Sequence, residues 1–139
     1  MLRPPLCVTP DASVRDVLRL LKEHRRGAVL VCRDEQLAGI LTERDILGIL
    51  ARGQNLDVAV EGEMADRPLA LHRDDSVGTA VLKMAQNGYR RLPVVDEDNR
   101  PLGFVDVEGI VHLLVEFCAE AVYNLPPVAN PATREREGP

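Results

Sequence analysis

With 139 residues and a mass of 15.3 kDa the chain has the length of one compact domain, and 45% hydrophobic residues suffice for a sizeable core. A net charge of -5, with aromatics at only 3%, argues against a nucleic-acid partner, which calls for a basic face and stacking platforms. No apolar run reaches the ~18 residues of a membrane helix and the opening "MLRPPLCVTPDAS" has no signal-like core, so a cytoplasmic location without membrane contact is expected.

In chain order, a short strand near Leu6 precedes Ser13, which caps a helix carrying Val14, Val17, Leu18 and Leu21 at helical spacing. The apolar run "GAVLVC", the polar turn "RDEQ" and the run "LAGIL" then read as a hairpin. A second helix spans about 43 to 51. The stretch "ARGQNLDVAVEGEMADRP" has the charge and glycines of an exposed linker. The order then repeats. Ser76 caps a helix with Val77, Ala80, Val81 and Met84; "RRLPVV", "DEDNR" and "PLGFV" form the second hairpin; and a last helix covers 107 to 123. Val107, Ile110, Val111, Leu114, Phe117 and Cys118 line one face of it. The ending "LPPVANPATREREGP" has four prolines and is expected to be mobile.

The two halves are copies. At a shift of 63, Met1 falls on Met64, Pro5 on Pro68, Leu6 on Leu69, Asp11 on Asp74, Ser13 on Ser76 and Val14 on Val77; after one insertion Gly39 falls on Gly103. An internal repeat obliges each copy to build the same unit. The fold class is therefore α/β (α+β), two pseudo-symmetric β-α-β-β-α repeats packed through their sheets with a cleft between them. The divisions are 1–59 for the first repeat, 60–124 for the linker and second repeat, and 125–139 for the tail. Cysteines 7, 32 and 118 show no metal or disulfide spacing and read as small buried side chains.

The chemistry gathers at "GILTERDIL", residues 39 to 47. Asp45 offers an acceptor-only carboxylate that suits the vicinal hydroxyls of a ribose. Thr42 stands at a helix start, where free N–H groups and the dipole favour a phosphate. A capping box satisfying its own helix end uses the same residues, and the two readings are compatible. In the second copy, "GFVDVEG" puts Asp106 at the Thr place and Gly109 at the Asp place. A carboxylate repels phosphate and a glycine cannot clasp ribose. One ordinary nucleotide site per chain is expected, with Asp106 a lone solvated carboxylate rather than a cation ligand. No histidine, cysteine or carboxylate cluster has metal-ligand spacing, and no phosphate loop or nucleophile elbow occurs.

The paired units, the strand "YRRLPVVD" and the junction "GILTERD" together resemble a tandem pair of cystathionine-β-synthase (CBS) domains, over nearly everything but the tail. The junction matches that family's Gly-apolar-x-Thr/Ser-x-x-Asp ligand motif. The resemblance implies a stand-alone regulatory module with no catalysis and no required cofactor. It implies binding of an adenosine-containing ligand in the inter-repeat cleft: AMP, ADP, ATP, S-adenosylmethionine or an NAD-type dinucleotide. It places Arg90 and Arg91, three and two residues before Pro93, at the ligand's phosphates, although strand alternation aims only one of them into the cleft. It sets Gly39, Leu41 and the backbone of Ala28 and Leu30 beside the adenosine, and implies a homodimer through the helices signalling to an unidentified effector protein. A ligand-independent dimerisation or scaffold module is the alternative.

Overall fold

The computed structural model describes residues 1–123, with side chains through Cys118, so the 125–139 tail lies outside the described residues. Strand β1 (Cys7–Val8), helix α1 (Val14–His24), strands β2 (Ala28–Arg33) and β3 (Gln36–Thr42) and helix α2 (Glu43–Ala51) make the first repeat. After the linker come β4 (Ala65–Asp66), β5 (Leu71–His72), α3 (Val77–Asn87), β6 (Arg91–Val95), β7 (Pro101–Asp106) and α4 (Val107–Tyr123). Ser13 and Ser76 cap α1 and α3, their hydroxyls accepting from Asp16 and Thr79 N–H groups at 3.0 and 3.1 Å. Asp34 and Glu35 both take positive φ in the two-residue turn from β2 to β3, the conformation that keeps a hairpin's strands twisted together.

Two sheets form, ordered β1-β2-β3-β4 and β5-β6-β7. Each repeat has its own core beneath its helices, around Val17, Val29, Leu41 and Ile49 in the first and Ala80, Leu92, Val105 and Ile110 in the second. A third cluster joins Ala28, Leu30 and Leu37 to Val95 and Phe104, so the repeats meet sheet against sheet. At the hairpin end of that interface Leu37 N–H donates to Asn99 O at 2.9 Å and Asn99 Nδ2 donates back to Leu37 O at 3.1 Å.

Two expectations, on the linker and on the cysteines, are corrected. The linker is mostly exposed but not a free crossing: Val60 is fully buried, Leu56 and Val58 pack on the first core, and Val14 and Arg15 N–H groups donate to Val58 and Leu56 carbonyls. Its alternating apolar residues outweigh its charges. The repeats also exchange their leading residues. Ala65 and Asp66 pair with Ile40 and Gly39 of the first sheet, while Arg3 pairs with Phe104 of the second through two 2.9 Å bonds. Finally, Cys7 and Cys118 are exposed and Cys32 is half-buried. Thiols this small follow the strand or helix face they happen to occupy.

Candidate functional site

Strand β3 runs directly into α2, and the junction between them is a complete capping box. Thr42 Oγ1 accepts from Asp45 N–H at 3.3 Å, while Asp45 Oδ2 accepts from Thr42 N–H at 2.9 Å and from its hydroxyl at 3.0 Å. Glu43 N–H donates to Gly27 O at 3.0 Å. Two first-turn donors thus already have partners, and Asp45 Oδ1 is the carboxylate oxygen these bonds leave unused. Both residues are half-buried, so solvent reaches the junction.

The other residues divide by face. Arg91 is half-buried and reaches across from the second repeat: a Cβ placed on Gly27 would lie 2.9 Å from its Nη2. Arg90 is exposed and its carbonyl accepts from Val107 N–H at 2.9 Å, just as Gly27 O accepts from Glu43. Ala28 pairs with Thr42 and is buried at the inter-repeat face. Leu30 lies on the same face, but its N–H is spent on Leu6 O at 2.8 Å, because β2 is an interior strand. The Leu41 side chain points into the first repeat's core, which leaves only its backbone near the junction. Gly39 is buried under Met64, which a side chain there would strike.

The second junction is built differently. Asp106 caps α4, accepting from Gly109 N–H at 2.6 Å, and pairs with Arg3 Nη1 at 3.1 Å. It is neither lone nor freely solvated, which corrects the expectation. Burial works to raise its pKa, yet the Gly109 N–H, Arg3 and nearby Arg91 hold the carboxyl below the ordinary carboxylate range. A cavity of about 430 Å³ opens here, lined by Met1, Arg3, Asp106, Gly109, His112 and Glu116. With Glu108 also on its wall, its lining presents four carboxylate or imidazole groups against one guanidinium. Among the described residues no group of three or more His, Cys, Asp and Glu is arranged to hold a metal ion, and no helix is long and apolar enough to cross a membrane.

Sequence reasoning passed over Arg3, Met64 and Glu43. The equivalence of Gly39 and Gly103 held the signal for the first two, since both glycines lie where the other repeat's leading segment crosses the strand.

Two β-α-β-β-α units, related by sequence shift and packed through their sheets, with a Thr/Asp strand-to-helix junction at the seam, define a tandem pair of the CBS type. The CBS domain family matches the chain twice, over residues 1–52 and 57–116, and the protein belongs to that family. The CBS domain-containing protein YhcV of Bacillus subtilis is 34% identical over 93 residues, 66% of each chain. Protein MK0525 of Methanopyrus kandleri is 28% identical over 108 residues, 76% of this chain and 55% of that protein, so the chain spans little more than half of that relative. Among solved structures, the CBS domain pair of protein MJ0100, in complex with 5′-methylthioadenosine and S-adenosyl-L-methionine, superposes with a TM-score of 0.75 at 26% identity, covering 82% of this chain and 90% of the other.

Proposed function

We propose that this protein is a CBS-pair regulatory module that binds one adenosine-containing ligand per chain at the Thr42–Asp45 junction and passes the bound state to a partner protein. The observation that carries the reading is the convergence at one seam of a free Asp45 carboxylate oxygen, the start of α2 and the Arg91 side chain of the opposite repeat. Asp45 Oδ1 takes a ribose hydroxyl, and Thr42 and Arg91 bound the 5′ side of the sugar. The likeness to a pair that holds two adenosine derivatives supports the ligand class. The Thr42 hydroxyl and Asp45 carboxylate are engaged in capping their own helix, and the module is read as a binder rather than an enzyme.

The module also dimerises through its helices. Leu47 on α2 and Val111, Leu114 and Phe117 on α4 are between 49% and 69% exposed, large apolar side chains that a lone chain leaves in water. The same side chains favour the alternative of a scaffold that needs no ligand. A thermal-shift screen of AMP, ADP, ATP, S-adenosylmethionine and NAD separates the two, because only the sensor is stabilised. Calorimetry on a positive compound is expected to give one site per chain. Two equivalent sites would mean that Asp106 and Gly109 were misread.

A further inference from the structure

Gly27 lies at the start of β2 without a side chain, and two charged groups from different repeats converge on the space above it. The point a Cβ would occupy is 2.6 Å from Glu43 Oε1 and 2.9 Å from Arg91 Nη2. Glu43 is the first residue of α2; its backbone is pinned to Gly27 O at 3.0 Å, but its side chain is exposed and free to turn. The Cα partner of Arg91 across the sheet is Asp106, already answered by Arg3 at 3.1 Å. Of the carboxylates around Arg91, Glu43 is therefore the one that can move toward it or away.

A phosphate drawn to the start of α2 by the helix dipole and by Arg91 comes close to the Glu43 carboxylate, and the two anions repel. Asp45 adds a second negative group on the same turn. A neutral or cationic 5′ group meets no such rival. We infer that Glu43 competes with ligand phosphate for Arg91, so that the first junction favours adenosine ligands with a neutral or cationic 5′ substituent over adenosine 5′-phosphates. This rests on the reading of Thr42–Asp45 as an adenosine site and adds a selectivity to it.

Calorimetry with AMP and 5′-methylthioadenosine as probes, on the wild type, Glu43→Gln, Arg91→Gln and the double variant at one salt concentration, tests it. The wild type is expected to bind 5′-methylthioadenosine at least as tightly as AMP. Glu43→Gln is expected to tighten AMP by about three- to fivefold, the scale of a solvent-screened charge–charge interaction, and to leave 5′-methylthioadenosine unchanged. That gain disappears when Arg91→Gln is added. A wild type that prefers AMP, or a Glu43→Gln variant that shifts both probes alike or neither, overturns the inference while leaving the adenosine site standing. Failure of the wild type to bind either probe overturns both.

Discussion

Replacing Asp45 by Ala separates its two roles, because they move different quantities. The side chain contributes two capping bonds through Oδ2, at 2.9 and 3.0 Å, and loss of a helix cap costs about 0.5 to 2 kcal/mol of stability. Ser13→Ala removes a helix N-cap away from the junction, where the Ser13 hydroxyl accepts from Asp16 N–H at 3.0 Å, and so serves as the control. A hydrogen bond from ligand to a charged group contributes roughly 1.5 to 3 kcal/mol, so Asp45→Ala is expected to weaken an adenosine ligand about 10- to 100-fold. Ligand at about 100 times its wild-type Kd adds about 2.7 kcal/mol, and at that same concentration the weakened variant retains only about 0.4 to 1.4 kcal/mol. Differential scanning fluorimetry reads this directly, at about 4 °C per kcal/mol for a chain of this size. The expected pattern is a similar fall in ligand-free Tm for both variants, with the ligand-induced shift largely lost in Asp45→Ala. If Asp45→Ala keeps the whole ligand-induced shift, the junction is a helix cap and nothing more.

Light scattering is expected to return twice 15.3 kDa for the wild type, and Phe117→Glu, which charges a residue 69% exposed on α4, should return the monomer; a wild-type monomer at micromolar concentration removes the dimer. Asp106 has a folded-state pKa below its unfolded value, so its contribution to stability is present above the unfolded pKa and lost as pH falls through the folded one. Acid titration of Tm should therefore show a drop below about pH 4 that is smaller in Arg3→Ala, and an equal drop in both proteins would sever Arg3 from Asp106. Cys7 lies on β1 beside Cys32 of β2, whose S–H stabilises its thiolate and outweighs burial, bringing its pKa down to about 7. Alkylation followed by peptide mass spectrometry should show Cys7 reacting ahead of Cys118 at neutral pH, with the rate rising through pH 7, and Cys32→Ala should shift that rise upward; a Cys7 rate that climbs only above pH 8 contradicts the pairing.

Much of the architecture is legible without coordinates because it depends on local periodicity and on repetition. Ser13 and Ser76 cap their helices wherever the rest of the chain goes, since the hydroxyl needs only the N–H three residues on. The helices at 43 to 51 and 107 to 123 start where a strand's period of two gives way to 3.6. The Thr42/Asp45 box is likewise complete within four residues.

Contacts across long sequence separations follow no such period. Arg3 meets Asp106, and Arg91 comes near Glu43 over Gly27, only because the sheets pack face to face and the leading segments cross over, bringing together residues 103 and 48 positions apart. The linker carried turn residues and charge, yet Val58 and Val60 gain more from covering the open edge of the first core than from water. On α4 the apolar stripe was visible in the sequence, but the stripe of a core helix and that of an interface helix are written identically. Only the packing shows Ile110 buried at 5% while Phe117 stands exposed, because the second repeat's core ends after the helix's first turn.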